Sequence, residues 1–422
     1  MGSHIVQFAL VWWLTKETGS ATILAMATLA AMLPQIVLGP IAGTLVDRWS
    51  RRLVMIVADT GVALTTLWLA YMFASGQIQI WHVFLVMFIR SLGGAFHWAA
   101  AQATTALMVP DKHLARVAGL NQTMHGALNI VGPALGALLL EALRDLQWVV
   151  MVDVFTAIPA VLPLLLIFIP QPDRSGAVDA DGKRASVWAE FRAGLRYVAA
   201  WPGLMMVIGI ALLINFVLTP AFSLMPILVT QHFQGEAPQL AVMESTWGVG
   251  VFLGGLTLSV WGGFKRRLLT SLAGLTLMGG GSIVIGVAPA HLFALGVAGV
   301  FVVGFMNTLT NGPLFAALQS TVAADVQGRV FSLLISGATA MTPLGLLVAG
   351  PVADAIGVQA WFVLGGVVCL ATGVGACFMP AVMRLEEGPP TLPRPARAAV
   401  EPTPFTGGAP SLGEAATETD PA

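Results

Sequence analysis

The sequence predicts an all-α integral membrane protein of twelve helices, arranged as two pseudo-symmetric halves of six. Of the 422 residues, 57% are hydrophobic and only 10% are charged, whereas soluble domains carry about 25% charged residues. Two long runs, 268–324 and 355–383, contain no Asp, Glu, Lys or Arg. Apolar stretches of about 18 residues or more are typical of membrane-spanning helices.

Apolar segments between charged or turn-forming breaks define the predicted helices. They cover residues 3–14, 21–46, 53–74, 80–108, 115–140, 148–169, 204–229, 240–263, 268–287, 292–322, 330–353 and 359–383. The first is short, since it rises only about 18 Å while the hydrocarbon core is roughly 30 Å thick. We therefore expect a first helix truncated in its N-terminal half, with the natural chain beginning upstream of Met1.

The polar segments divide the chain into four parts. Residues 1–170 form the N-terminal half, 171–202 a cytoplasmic linker, 203–383 the C-terminal half and 384–422 a tail. Within the linker, Val187, Phe191, Leu195 and Val198 share one side of a predicted helix at 186–200. This helix lies either on the inner membrane face or in solvent. The tail is Pro-rich and ends acidic, so we expect it to be disordered and cytoplasmic.

The basic residues indicate which side of the membrane each connector faces. Seventeen of the twenty Lys and Arg residues lie in connectors after even-numbered helices, in the linker or in the tail. Only Lys16 and Arg144 lie in connectors after odd-numbered helices. Because basic loops stay on the cytoplasmic side, both termini are expected in the cytoplasm. The remaining basic residue, Arg90, lies inside the fourth predicted helix.

An internal repeat supports the division into six plus six helices. Arg116 begins the fifth predicted helix and Glu141 ends it. Arg329 and Asp354 do the same in the eleventh helix, at the same separation of 25 residues. Two halves related by an axis along the membrane normal are one known layout of membrane transport proteins.

The connector after the second helix carries the strongest motif. Gly43, Asp47, Arg48, Arg51 and Arg52 form the pattern G-x-L-x-D-R-x-x-R-R. The glycine permits close helix contact, the aspartate can pair with arginine or cap a helix, and the arginines can hold neighbouring loops. Such a charged latch can lock one conformer and release it in another. A plain basic anchor is the alternative, but it would not require the glycine or the aspartate.

This connector strongly resembles the loop signature of the major facilitator superfamily, with Ser50 where the family usually has Gly. Segments 8–21, 33–35 and 46–52 are also similar to the bacterial efflux branch that contains macrolide and enterobactin exporters. The resemblance implies the twelve-helix major facilitator fold and proton-coupled export of small lipophilic molecules across the cytoplasmic membrane by alternating access. The expected partners are the substrate, protons and the bilayer, with a functional monomer and no cofactor, metal or nucleic acid.

Charged or titratable residues inside the predicted spans are candidates for coupling, because a charge in lipid is costly. Arg90 resembles the fourth-helix Arg that the superfamily links to coupling in proton-driven exporters, and His97 shares its helical face. Asp153 and Glu244 are carboxylates that can bind and release a proton. The alternatives are an Arg90 locked to backbone carbonyls and a His97 that only packs. Asp59 is expected to pair with loop arginines.

Helix five contains Gly132, Pro133 and Gly136, which resemble the superfamily's antiporter pattern G-P-x-x-G, although Leu128 replaces its leading glycine. The glycines permit tight packing and the proline can kink the helix, so we expect a hinge here.

The resemblance also implies which helices face a central cavity, namely the first, fourth, seventh and tenth. On these helices the candidate substrate-cavity residues are Gln7, Gln102, Asn215, Phe216, Asn307 and Asn311. A roomy apolar cavity with few fixed charges suits lipophilic, weakly charged substrates.

Other functions of the same chain stay open at this point. One alternative is a transport-inactive membrane sensor or scaffold, and another is a uniporter or importer of the same fold. A membrane-embedded enzyme is disfavoured, because the sequence contains no metal-ligand cluster, nucleophile–base pair or phosphate loop.

Overall fold

The computed structural model describes residues 1–46, 49–143, 145–166 and 187–388, and they are helical nearly throughout. The long helices are α1 (Gly2–Thr18), α2 (Ala21–Val46), α3 (Arg51–Ala74), α4 (Ile80–Met108), α5 (Asp111–Leu143), α6 (Leu146–Leu166), α8 (Pro202–Ser223), α10 (Ala237–Trp261), α11 (Arg267–Val287), α12 (Phe293–Thr321), α13 (Ala324–Ile356) and α14 (Val358–Cys377). The short helices are α7 (Val187–Ala199), α9 (Met225–Ile227) and α15 (Pro380–Met383).

The described helices have the length and composition of membrane spans. Eleven of them are long and apolar enough to cross a bilayer, and α1, with 17 residues, rises roughly 25 Å. A helix satisfies its backbone hydrogen bonds within itself, which lipid requires of any spanning segment. The predicted all-α membrane protein is therefore confirmed, and the bounds predicted for α2 and α4 agree with those observed.

The single helix predicted at 204–229 is wrong at its C-terminal end. α8 ends at Ser223, and α9 and one π-helical turn, Leu228–His232, follow it. Pro220 and Pro226 flank the break, and each lacks the backbone N–H that would continue the helical ladder. The backbone N–H of Leu224 bonds instead to the carbonyl of Pro220 at 3.0 Å. This irregular segment forms part of the connection between α8 and α10.

The helix predicted at 186–200 corresponds to α7, which packs against the start of α13. A Cβ at Gly194 would lie 3.0 Å from Leu333 Cδ1 and 3.2 Å from Arg329 Cβ. Val198 is buried, whereas Leu195, placed on the same face by the prediction, is 52% exposed. The packed face of α7 is thus turned away from Leu195. The rest of the linker and the tail from 389 lie outside the described residues.

The two halves share the lengths of two helices and one long-range contact. α4 and α12 both contain 29 residues, and α5 and α13 both contain 33. Arg51 begins α3 and donates to the Ala103 carbonyl of α4 at 2.9 Å. Arg267 begins α11 and donates to the Ala316 carbonyl of α12 at 3.0 Å. Both carbonyls occupy the same position in their helices, which supports the internal repeat.

The helix bundle has two opposite ends, which we call the basic face and the first-loop face. The basic face carries Arg51 and Arg267. The first-loop face carries the α1–α2 connector at residues 19–20, the start of α10 and the end of α13.

The halves meet along two helix pairs, α5 with α10 and α2 with α13. At the first pair, Ser245 Oγ donates to the Ile130 carbonyl at 2.8 Å, and a Cβ at Gly248 would lie 2.7 Å from Ile130 Cγ1. At the second pair, a Cβ at Gly350 would lie 2.9 Å from Thr22 Cα. The close approach at both seams encloses a space between the halves.

Glycines set the helix spacing within the C-terminal half. A Cβ at Gly279 of α11 would lie 2.6 Å from the Gly366 carbonyl oxygen of α14, and a Cβ at Gly366 would lie 2.6 Å from the Gly279 carbonyl oxygen. Small residues allow such backbone contact in lipid, where dispersion rather than the hydrophobic effect holds helices together.

Replacing Gly279 by Ala is expected to lower the free energy of unfolding by about 1–3 kcal/mol, because the new methyl group forces α11 and α14 apart. The measurement is the thermal unfolding midpoint in detergent. Gly280→Ala is the matched control, since a Cβ there meets nothing within 4 Å. Equal midpoints for the two variants would contradict the proposed contact.

Candidate functional site

A central cavity of about 650 Å³ lies between the two halves. The N-terminal half lines it through α1 and α5, and the C-terminal half lines it through α8, α10, α11 and α12. It extends to Leu268, the second residue of α11, and so reaches the basic-face end of that helix. The cavity therefore has the position expected of a substrate site.

Four of the six predicted cavity residues line this space, namely Gln7, Asn215, Asn307 and Asn311. Gln102 does not, because α1 and α5 form the N-terminal wall and α4 contributes none of the lining residues. Phe216 does not either. It follows Asn215 by one position, which turns a helical side chain by about 100°, and it packs against the apolar core.

A buried ion pair occupies the interior of the N-terminal half. Arg90 of α4 pairs with Asp153 of α6, and both side chains are less than 10% exposed. Arg90 also donates to Thr66 Oγ1 of α3 at 3.0 Å and to the Ser3 carbonyl of α1 at 3.3 Å. Ser3 Oγ donates to Asp153 at 3.2 Å. Four helices therefore share one polar centre, which compensates two charges that would be costly alone.

His97 and Asp59 form a second polar contact between α3 and α4, with 3.5 Å between His97 Nε2 and Asp59 Oδ2. The expectation that Asp59 pairs with loop arginines is therefore wrong. Asp59 precedes Thr66 by seven residues and His97 follows Arg90 by seven, so this pair lies two turns closer to the basic face. That matched spacing was the sequence signal that could have identified both contacts.

The four candidate coupling residues do not form one cluster. Arg90 and Asp153 are in contact, and His97 lies two turns away with Asp59. Glu244 lies in the other half, on α10, where it lines the central cavity. Ser3 and Thr66, which the sequence analysis missed, complete the ion-pair centre.

Two arginines of the predicted latch satisfy carbonyl groups near the ends of neighbouring helices. Arg51 bonds to Ala103 of α4, and Arg52 bonds to the carbonyls of Leu164 and Leu165 at the end of α6. Leu164 and Leu165 are among the last residues of α6, whose carbonyls have no partner within the helix, so the Arg52 contacts stabilise that helix end. Ala103 lies before the last turn of α4, so the Arg51 contact ties α3 to the body of that helix. Gly43 lies in α2. Asp47 and Arg48 lie outside the described residues.

The predicted hinge residues of α5 face α1. A Cβ at Gly132 would lie 3.0 Å from His4 Cβ, and a Cβ at Gly136 would lie 2.8 Å from the Phe8 ring. Pro133 lies within the helix and lines the cavity. The glycines thus let α1 and α5 approach closely at the cavity wall.

Contacts between the halves close the first-loop face. Asp354, at the end of α13, accepts hydrogen bonds from Ser20 Oγ at 2.9 Å and from the backbone N–H groups of Ala21 and Thr22 at 2.7 and 3.0 Å. It therefore caps the N-terminus of α2 from the opposite half. Lys16 of α1 pairs with Glu236, next to α10, at 2.8 Å.

The architecture defines the class of protein. Two six-helix repeats around one cavity are typical of secondary transporters, and no cluster of His, Cys, Asp or Glu that could hold a metal occurs among the described residues. The family model of the Major Facilitator Superfamily matches residues 1–342. The chain belongs to this superfamily, so it is a multi-pass membrane transport protein rather than an enzyme.

Relatives of the chain include efflux proteins. It is 33% identical over 372 residues to macrolide efflux protein A of Streptococcus pyogenes, covering 87% of this chain and 90% of the relative. It is 28% identical over 399 residues to multidrug efflux pump Tap of Mycolicibacterium fortuitum, covering 91% and 94%.

A solved structure supports the fold. A bacterial homologue of the human lysosomal transporter Spinster, in an inward-facing and unoccupied conformation, matches with a TM-score of 0.63 at 14% identity, covering 91% of this chain and 95% of that one. The predicted major facilitator fold is confirmed.

Replacing Arg90 by Ala is expected to lower the free energy of unfolding by about 3–5 kcal/mol, because Asp153 is left buried without its partner. Removing both side chains, in Arg90→Ala/Asp153→Ala, should recover part of that loss. The measurement is again the thermal unfolding midpoint in detergent.

The control is Lys16→Ala, which breaks an ion pair between side chains 43% and 66% exposed and should cost less than about 1 kcal/mol. The losses of unfolding free energy in the single variants Arg90→Ala and Asp153→Ala are compared with the loss in the double variant. If the loss in the double variant equals the sum of the two single losses, Arg90 and Asp153 are not energetically coupled.

Proposed function

We propose that the protein exports small lipophilic molecules across the cytoplasmic membrane, in exchange for protons, by alternating access. The single observation that carries this proposal is the cavity between the halves, which is closed on the first-loop face. The names of the relatives, macrolide efflux protein A and multidrug efflux pump Tap, favour export and a role in drug resistance.

The charge distribution supports the orientation of the pump. The basic face lies in the cytoplasm, with both termini, because basic connectors are retained there. The cavity then opens to the cytoplasm and loads substrate from inside the cell. Rocking of the halves transfers the opening to the first-loop face, with Gly132, Pro133 and Gly136 as the hinge of α5. The protein works as a monomer, since one chain supplies both halves of the cavity.

The cytoplasmic latch acts in the opposite conformer. Gly43, Asp47, Arg48, Arg51 and Arg52 hold the basic face together when the first-loop face is open. The bonds from Arg51 to α4 and from Arg52 to α6 support this role, because they anchor the α2–α3 connector on rigid helices.

The Arg90–Asp153 pair is the proposed coupling site. A proton that binds the Asp153 carboxylate removes its negative charge and weakens the ion pair. Arg90 also holds the carbonyl of Ser3, and the next residue, His4, lines the cavity. Protonation of Asp153 is therefore transmitted through Arg90 and α1 to the substrate site. His97 with Asp59 provides a further titratable pair toward the cytoplasm.

Asp153→Asn is expected to abolish export driven by a pH gradient, because an amide cannot take up the proton. The measurement uses proteoliposomes, an imposed pH gradient and a compound to which expression confers resistance in a pump-deficient host. Binding of that compound should persist, because Asp153 itself does not line the cavity, but it should no longer respond to the protonation of Asp153.

Asp145→Asn, in the exposed α5–α6 connector, is the matched control and should transport at the wild-type rate. Gradient-driven export by Asp153→Asn at the wild-type rate would overturn the coupling site. A wild-type protein that confers no resistance and shows no flux under any gradient would favour a sensor or scaffold. Flux without a proton requirement would favour a uniporter or importer.

Asp354→Ala is expected to open the first-loop face more often, because α2 loses a cap worth about 1 kcal/mol or more. The measurement is labelling of Thr219→Cys, a cavity residue, by an impermeant maleimide outside the cell, with Cys369 and Cys377 replaced by Ala. Labelling should be about fivefold faster.

Glu141→Ala is the control, since Glu141 is exposed at the matching position of α5 and should leave the rate unchanged. Asp354→Asn keeps one acceptor oxygen and should give an intermediate rate. If Asp354→Ala labels no faster than wild type, the capping contact does not hold this face closed.

A further inference from the structure

We infer that the central cavity selects lipophilic cations that carry N–H donors, with Glu244 as their counter-charge and Trp247 as an aromatic wall. This inference rests on the proposed export function and names the substrate class of the same cavity. It departs from the weakly charged substrates that the sequence led us to expect.

Glu244 is the single Asp, Glu, Lys or Arg among the cavity-lining residues. It is the eighth residue of α10, and the next residue, Ser245, is bonded to Ile130 of α5 at 2.8 Å. The backbone of Glu244 therefore lies beside the seam between the halves. No hydrogen bond or ion pair to the Glu244 carboxylate occurs within the described part of the chain. A charge in an apolar cavity without a partner is costly, so a cationic ligand would be stabilised there.

Two asparagines of the cavity, Asn215 and Asn311, each use one of their amide donors within their own helix. Asn215 donates its amide N–H to the Ala211 carbonyl at 2.9 Å, and Asn311 donates to the Asn307 carbonyl at 2.9 Å. Each side chain keeps one amide N–H and an amide oxygen with a lone pair that can accept, although Thr219 Oγ1 already donates to the Asn215 oxygen at 3.5 Å.

Two hydroxyl groups of the cavity, those of Ser271 and Thr310, also donate to backbone carbonyls. Ser271 donates to the Thr310 carbonyl at 2.7 Å, and Thr310 donates to the Met306 carbonyl at 2.8 Å. Their protons are engaged, so their oxygens are left to accept. With the Glu244 carboxylate, these acceptor oxygens are complementary to a ligand that donates hydrogen bonds and carries positive charge.

Trp247 adds an aromatic surface beside the carboxylate. It follows Glu244 by three residues, so the two side chains are neighbours on the same face of α10, and both line the cavity. Its backbone carbonyl is in close contact with Gly304 of α12, where a side chain would collide. This contact fixes the backbone that carries the indole against α12. A tryptophan face attracts organic cations, more strongly where water is excluded.

The rest of the lining suits the apolar part of such a ligand. Phe8 and Phe222 contribute aromatic surface, and Leu, Ile and Val side chains supply much of the remainder. A volume of about 650 Å³ is that of a drug-sized site. The chemical class is therefore an organic cation with N–H groups on a large apolar frame.

The test measures binding of two dyes to the full chain in lipid nanodiscs by fluorescence polarisation. Rhodamine 6G is a lipophilic cation with N–H groups, and Nile red is a neutral dye of similar size. The buffer is at about pH 8, where imidazole is mostly neutral, because His4 also lines the cavity. Wild type should bind rhodamine 6G about tenfold more tightly than Nile red.

Glu244→Gln should weaken rhodamine 6G binding about tenfold, since it removes the negative charge. The affinity for Nile red should stay within about twofold of the wild-type value. Glu244→Asp keeps the charge and should retain the preference, which separates recognition from a folding defect. Glu141→Gln removes an exposed carboxylate outside the cavity and should change neither affinity. Trp247→Ala should weaken binding of rhodamine 6G more than binding of Nile red. Trp247→Phe should restore part of the lost rhodamine 6G affinity.

Three outcomes would overturn the inference. They are equal wild-type affinity for both dyes, no binding of either dye, and rhodamine 6G binding that Glu244→Gln leaves unchanged. Each of these outcomes can occur although the wild-type protein confers resistance and shows gradient-driven flux. In that case the proposed export function stands and only this substrate class is wrong. If wild type shows neither resistance nor flux, the export function fails instead, whatever the dyes do.

Discussion

Lipid offers no partner to an isolated guanidinium, and this constraint governs the packing of the N-terminal half. Arg90 is buried among spans, so its charge must be met by protein. Asp153, Thr66 and Ser3 meet it, and in doing so they bring α6, α3 and α1 onto α4. One ion pair therefore fixes four helices around a common centre. Because Ser3 precedes a residue of the cavity wall, the same contacts connect that centre with the central cavity.

The C-terminal half solves the same packing problem without charge. Arg90 is the eleventh residue of α4, and the eleventh residue of the equally long α12 is Val303, which is buried. The neighbouring α11–α14 seam is held by the reciprocal contact of Gly279 and Gly366. Close backbone packing at these glycines thus holds the helices together where the N-terminal half uses an ion pair. In the proposed mechanism the N-terminal half responds to protons through the buried Arg90–Asp153 pair. The C-terminal half contributes the Glu244 carboxylate directly to the cavity.

The sequence predicted the helices well because lipid imposes long apolar spans with charges in the connectors. It predicted α2 and α4 to the residue but extended α8 through Pro226, where local backbone chemistry overrides hydropathy. Helix rotation was harder to predict. Phe216 was placed in the cavity although only its neighbour Asn215 faces it. Asp59 was assigned to loop arginines because sequence alone did not reveal the register of α3 against α4, which brings it to His97.

The cap that Asp354 provides to α2 determines what must happen before the two halves separate at this end. Ala21 and Thr22 expose backbone N–H groups that the first turn of α2 cannot satisfy by itself, and their acceptor belongs to the other half of the molecule. Separation of the halves at this end is therefore an exchange of ligands, in which water must replace the carboxylate on each donor. A dry interface would resist that exchange and a wetted one would permit it. In the proposed mechanism, hydration of this helix terminus therefore determines when the first-loop face opens.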